Sequence, residues 1–168
     1  TILGSTGSIG LSALQILDKE KKNYKFNTLS ANKNFNLICK QINKYKPIFF
    51  VVKDQRVFKK VEQKFKKKKT IILKNFKLIK LKKKTDITLS AIPGIAGLQP
   101  TITMIKSSKK VLIANKESII CGWNLIKKEL IKNRTNFIPV DSEHFSIWFG
   151  KNKINNDNID TIYLTASG

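Results

Sequence analysis

The sequence predicts a doubly wound α/β domain with a mostly parallel sheet, on three observations. Thr1-Ile2-Leu3 runs straight into Gly4-Ser5-Thr6-Gly7-Ser8-Ile9-Gly10, and then into a segment whose Gly10, Ala13, Leu14 and Leu17 share one helical face. The chain therefore opens as strand, glycine loop and helix. Further along, short runs that are apolar throughout alternate with amphipathic stretches, and such runs suit strands buried on both faces, as in parallel sheets. Neither an internal repeat nor a flexible linker interrupts the alternation, and its continuity argues for one layered domain through about residue 140.

Each element follows from its pattern. Residues 25–31 read as the second strand, and Phe35, Ile38, Cys39 and Ile42 mark a helical face behind it. Pro47 opens the apolar run 48–52. Asp54 suits the N-cap of a helix that turns Val57, Val61 and Phe65 inward and its lysines outward. Residues 70–73 form a short strand, while 75–84 fit either a strand or a single helical turn. A strand over 86–92 ends at Pro93-Gly94, and Leu98, Ile102 and Ile105 line the next helix. Residues 110–113 read as another buried strand, which delivers Ala114-Asn115-Lys116-Glu117-Ser118 to its carboxyl end. Ile119, Trp123, Ile126 and Leu130 then line a helix, and 137–140 form the last strand of this unit. Past it, 150–158 read as a polar loop, 159–165 as a strand and 166–168 as a turn. The expected division is a domain over 1–140 and, from 141 to 168, the beginning of a second, α+β domain whose remainder lies elsewhere. Both ends look cut, since the first strand is short and the chain stops directly after an apolar run.

Composition narrows the classes. With 168 residues the chain can bury a real core. Its 33 Lys+Arg against 11 Asp+Glu give a net charge of +22, which favours anionic partners. Outside 66–69 and 82–84 the lysines are scattered, with no aromatic stacking platform between clusters, so a phosphorylated small molecule is expected and nucleic acid is not. Abundant Lys, Asn, Ile and Phe match the drift of an A+T-rich genome. Cys39 and Cys121 stand apart among apolar residues, without metal or redox spacing, and are expected to be buried thiols in a reducing, cytoplasmic compartment. No apolar run approaches a membrane span, and a signal peptide before the first strand is not expected.

Three stretches carry candidate chemistry. Glycines let a backbone approach a pyrophosphate closely, and the amides at the start of the following helix bind its charge; a plain tight turn is the other reading of the loop. Near the end of the second strand, where an acidic residue would bind the ribose of NAD, stands Asn32-Lys33-Asn34. Lys33 could neutralise a 2′-phosphate, which favours NADPH over NADH, or could be a solvated lysine in a turn. Pro139-Val140-Asp141-Ser142-Glu143-His144 crowds two carboxylates, a hydroxyl and the sole histidine beyond a strand. Residues two apart in an extended segment project from one side, so Asp141 and Glu143 suit a hard cation such as Mg²⁺ or Mn²⁺. The same residues also suit a cap, with Asp141 or Ser142 accepting amide hydrogens of a short helix carrying Ile147 and Trp148.

Read together with Leu112-Ile113-Ala114-Asn115-Lys116-Glu117-Ser118 and Leu164-Thr165-Ala166-Ser167-Gly168, these motifs closely resemble, in order and separation, the 1-deoxy-D-xylulose 5-phosphate reductoisomerase family of non-mevalonate isoprenoid biosynthesis. The resemblance covers the whole chain. It implies a Rossmann-like NADPH-binding domain and an NADPH-dependent oxidoreductase, assisted by Mg²⁺ or Mn²⁺. The reaction implied is the reductive isomerisation of 1-deoxy-D-xylulose 5-phosphate to 2-C-methyl-D-erythritol 4-phosphate. Thr6, Gly7, Ser8 and Ile9 match the family's pyrophosphate loop, Lys33 and Asn34 its ribose-phosphate contacts, and Asn115 and Glu117 further cofactor contacts. Lys116, Ser142, Glu143 and Ser167 match substrate positions, with Lys116 and Glu143 in the catalytic set. Asp141 and Glu143 match two of three metal carboxylates, and His144 is read as supporting them.

The resemblance further implies a homodimer at full length and a cytoplasmic bacterial enzyme, with a plastid-type organelle as the alternative setting. The third carboxylate, the lid and the rest of the phosphate site would lie beyond Gly168, so this stretch alone is expected to be inactive. Asn32 departs from the family, where glycine is frequent, and Phe145 and Trp148 are bulky beside the acidic loop. The alternatives are another Rossmann-type NADP-dependent dehydrogenase and a basic nucleic-acid-binding protein. The Tyr-x-x-x-Lys pair of short-chain dehydrogenases is absent, since none of Tyr24, Tyr45 and Tyr163 has lysine four residues on.

Overall fold

The computed structural model describes residues 1–20, 23–153 and 159–163. Strands β1 (Ile2–Leu3), β2 (Thr28–Ala31), β3 (Phe49–Val52), β4 (Ile71–Leu73), β5 (Thr85–Ser90), β6 (Ser108–Ile113) and β7 (Asn136–Pro139) form one seven-stranded sheet in the order β4-β3-β2-β1-β5-β6-β7. Every pairing is parallel. Helices α1 (Ser8–Lys19), α2 (Phe35–Tyr45), α3 (Gln55–Phe65), α4 (Leu98–Ile105), α5 (Lys116–Asn133) and α6 (Ser142–Lys153) connect or follow them. The sheet winds outward from β1 to β4, returns to place β5 beside β1, and then winds the other way. This reversal is the doubly wound pattern, and it puts a crevice between the carboxyl ends of β1 and β5.

Side-chain alternation splits the core between the two faces of the sheet. Ile2, Leu29, Phe50 and Val52 pack with Leu14 of α1, Ile38 and Ile42 of α2, and Phe58, Val61 and Phe65 of α3. Leu3 and Val51 point the other way, toward Phe76 and Met104, while Val111 and Ile113 meet Ile105, Ile119, Ile126 and Leu130 from α4 and α5. Phe50, with no exposed surface, contributes roughly 1.5–3 kcal/mol through burial of its ring. Local chemistry fixes the helix starts. Asp54 accepts from Val57 N at 2.9 Å, Asn34 from Leu37 N at 3.1 Å, and Asn115 from Ser118 N at 2.9 Å.

Several expectations change. Of the two readings of 75–84 the strand is lost and the single helical turn stands, as a 3₁₀ turn at Phe76–Leu78 whose Phe76 plugs the core. Helix α6 runs through Lys153, so 150–153 are helical where a loop was expected. No strand forms in 159–163, and the rest of that expected strand and the turn after it lie outside the described residues. Cys39 is buried, but Cys121 is exposed, because it falls on the outer side of α5 beside a non-helical step at Gly122. Trp123 sits at the edge of the core, 38 % exposed, with its ring 5.4 Å from that of Phe137. Among the described residues no helix is long and apolar enough to cross a membrane.

Candidate functional site

Because all seven strands run the same way, every loop that follows a strand leaves at one edge of the sheet. That edge carries the glycine loop after β1, Lys33 and Asn34 after β2, Asn115 to Glu117 after β6, and Asp141 to His144 after β7. Neighbouring strands stand about 4.8 Å apart, so this rim from β2 to β7 extends over roughly 19 Å.

The glycine loop is built for close approach. Gly4 has φ +82°, and a Cβ there would sit 2.7 Å from the Ala91 carbonyl oxygen on the loop after β5. At Gly10 a Cβ would run into the Gly4 carbonyl, so helix and loop touch backbone to backbone. Gly7 is less constrained, with φ −80° and its nearest neighbour at 3.4 Å. It occupies the N-cap of α1 with no side-chain capping bond, and the first turn holds no carboxylate. Gly7, Ser8 and Ile9 are exposed, so the positive end of this helix faces the rim, where anions are stabilised. Thr6 is half-buried beside them.

Behind the loop lies a polar lattice that pattern reading missed. Ser5 N donates to Ser30 O at 2.7 Å, Gly4 N to Ser30 Oγ at 2.9 Å, and Gln41 Nε2 to Ser5 O at 2.8 Å. The one available signal was Gln41 itself, a polar residue on the same inward face of α2 as Ile38 and Ile42.

At the far side of the crevice, Asn115 is 3 % exposed. Its Oδ1 caps α5, and its Nδ2 donates to the carbonyls of Ile92 and, at 2.6 Å, Gly94. These three bonds tie the loop after β5 to the start of α5 and so aim Lys116 and Glu117, both exposed. Glu117 lies in the first turn of α5, where the helix dipole favours a carboxylate. Lys116 Nζ stands 3.2 Å from Glu143 Oε1. Its own backbone amide and then Lys116 hold the Glu143 carboxyl below the usual carboxylate range, against a weaker opposing push from Asp141.

The extended-segment argument for Asp141 and Glu143 does not hold, since β7 ends at Pro139 and Ser142 already begins α6. Asp141 occupies the capping position instead. Its Oδ1 accepts from His144 N at 3.0 Å and lies 2.6 Å from His144 Nδ1, while its carbonyl accepts from Phe145 N at 2.9 Å. The other oxygen, Oδ2, is buried and has no hydrogen-bond partner among the described residues. An orphaned buried carboxylate oxygen is costly unless a cation or another partner meets it. The orphaned Oδ2 of Asp141 suits one ligand of a hard cation, whereas Glu143, in the first turn of α6, is paired with Lys116, and among the described residues no three His, Cys, Asp or Glu side chains gather as a complete site. Ser142 is exposed at the first position of α6, and Ser167 lies outside the described residues.

Sheet order, glycine loop and rim together define a Rossmann-like α/β domain. A family model described as 1-deoxy-D-xylulose 5-phosphate reductoisomerase matches residues 1–122, and the chain belongs to that family. Enzymes of this name from Pelagibacter ubique and Clostridium tetani are 45 % and 38 % identical to it, each aligned over 99 % of this chain and over 44 % and 45 % of their own length. The chain thus spans less than half the length of these relatives. Among solved structures, the reductoisomerase of Zymomonas mobilis in complex with NADPH superposes with a TM-score of 0.75 at 28 % identity, over 85 % of this chain and 38 % of that one. A reductoisomerase in complex with NADPH, fosmidomycin and magnesium gives 0.78 at 30 % identity, over 85 % and 36 %.

Proposed function

We propose that residues 1–140 are the NADPH-binding domain, and 141–168 the beginning of the catalytic part, of an enzyme that converts 1-deoxy-D-xylulose 5-phosphate to 2-C-methyl-D-erythritol 4-phosphate. The observation that carries this reading is the single rim on which an uncapped helix start, a lysine at the end of β2 and a lysine–carboxylate pair are aligned within a chain of this family. Solved relatives in complex with NADPH and with magnesium support the choice of cofactors.

In this reading NADPH supplies a hydride and Mg²⁺ or Mn²⁺ supplies Lewis acidity when bound. The chain's own residues do the holding. Thr6, Gly7, Ser8 and Ile9 present amides and hydroxyls to the pyrophosphate. Lys33 and Asn34 meet the ribose 2′-phosphate, Asn34 while capping α2. Asn115 and Glu117 border the cofactor from the far side of the crevice. Asp141 and Glu143 hold the cation, and Glu143, kept ionised by its own backbone amide and by Lys116, also faces the substrate. Lys116 brings positive charge to the substrate oxygens, and Ser142 and Ser167 hydrogen-bond the substrate, Ser167 at its phosphate. His144 orients the Asp141 carboxylate. Homodimerisation of the whole protein and a cytoplasmic setting belong to the same reading.

Metal-dependent NADPH oxidation by the full-length protein on adding 1-deoxy-D-xylulose 5-phosphate tests the proposal; no oxidation with the metal-loaded protein would end it. Replacing Lys33 by alanine should weaken NADPH binding roughly tenfold, the size of one charge-assisted contact at an exposed position, and leave NADH binding unchanged. Parallel titrations followed by nicotinamide fluorescence measure the difference.

A further inference from the structure

We propose that Gln41, on α2, is a positioning residue for the phosphate-binding loop. The inference rests on the dinucleotide reading above and extends it to a side chain remote in sequence that is not itself part of the loop. Gln41 is 4 % exposed, on the inward side of α2, where an amide needs partners for both its ends. It finds both on one residue. Nε2 donates to the Ser5 carbonyl at 2.8 Å, and Oε1 accepts from Ser5 Oγ at 2.6 Å. The orientation is forced, because a carbonyl can only accept; the NH₂ must face it, which leaves the amide oxygen for the hydroxyl.

Ser5 has no exposed surface and stands between Gly4 and Thr6, at the point where the chain leaves β1 for the loop. Its amide is already committed to Ser30 O, at the end of β2. Gln41 takes the carbonyl and makes the shorter of the hydroxyl's two contacts, the other running from Ser5 Oγ to Ser30 O at 3.1 Å, so Ser5 is held by β2 on one side and α2 on the other. The peptide planes that follow, from Thr6 to Ile9, inherit their direction from that clamp. Helix α2 also carries Asn34 at its N-cap, with Lys33 just before it. One rigid helix thereby sets the spacing between the loop that holds the pyrophosphate and the residues that meet the 2′-phosphate.

The test uses the full-length protein, with NADP⁺ and NADPH affinity measured by calorimetry and fluorescence beside steady-state kinetics. Gln41→Met keeps the length and apolar volume of the side chain but removes both bonds. The expected result is a Kd and a KM for the dinucleotide raised at least fivefold, with kcat at saturating dinucleotide within twofold of the parent. Val61→Ala serves as a control. It opens the same core cluster from α3, lowers the melting temperature, and should leave the dinucleotide Kd unchanged. If Gln41→Met fails to fold, Ser5→Ala decides, since it removes the hydroxyl's bond to Gln41 together with its longer one to Ser30 O, and should raise Kd at least twofold. An unchanged Kd in folded Gln41→Met, or in Ser5→Ala where that variant decides, overturns the proposal, as does an equal rise in Val61→Ala. A parent protein that binds neither nucleotide would instead overturn the dinucleotide reading itself.

Discussion

Replacing Gly4 by alanine should lower stability by about 2–5 kcal/mol and abolish NADPH binding, whereas the same change at Gly7 should leave stability within about 0.5 kcal/mol of the parent. Two costs add at Gly4. Its φ of +82° belongs to the left-handed region, where a Cβ costs roughly 1–2 kcal/mol. That Cβ would also lie 2.7 Å from the Ala91 carbonyl oxygen and 2.9 Å from its carbonyl carbon, backbone atoms that cannot turn aside as a side chain would. Relief requires parting the loop from the end of β5, at the crevice where the sheet reverses, and overpacking of this kind costs about 1–3 kcal/mol. Gly7, at φ −80° with nothing closer than 3.4 Å, faces neither cost. Urea unfolding of the two variants with unchanged slope measures the difference. Equal midpoints for Gly4→Ala and Gly7→Ala would show that the contact with β5 constrains nothing.

That contrast also shows what a linear pattern can convey. Glycine spacing announces a loop, but it does not distinguish the glycine that must accept a positive φ from the one that merely starts a helix. The fold was legible because its signals are local: Phe50, Val51 and Val52 are apolar without interruption because β3 is covered on both faces, and Asp54 caps the helix it precedes. Long-range satisfaction was not legible. Ser5 and Gln41 meet across 36 positions, and Asn115 reaches back 23 and 21 positions to Ile92 and Gly94. Nothing in a window of ten residues encodes such bonds. The acidic stretch was legible as a pair of readings and not as a choice between them. Asp141 presents a capping oxygen and an orphaned buried one on the same carboxylate, so geometry accommodates a cap and a ligand together.

A single substitution separates the two roles of that carboxylate. In Asp141→Asn the amide oxygen can still accept from His144 N, and asparagine caps helices about as well as aspartate, so α6 should persist with stability changed by no more than about 0.5 kcal/mol. What changes is the second oxygen. An NH₂ would replace the buried, unpartnered Oδ2, turning an anionic acceptor into a donor at the place where a cation would sit. If the carboxylate binds metal, Mn²⁺ affinity measured by calorimetry should fall by two orders of magnitude or more in the full-length protein. The value of kcat/KM should fall by about a thousandfold, as a Lewis acid worth several kcal/mol is lost from the transition state. NADPH affinity should stay unchanged, because the glycine loop lies three strands away on the rim. Asp141→Ala should add to these losses a cap penalty of about 0.5–2 kcal/mol, seen as fraying of α6. Full activity and full Mn²⁺ affinity in Asp141→Asn, with instability confined to Asp141→Ala, would reduce Asp141 to a helix cap. Glu143, beside Lys116, would then have to hold any cation with ligands from outside the described residues.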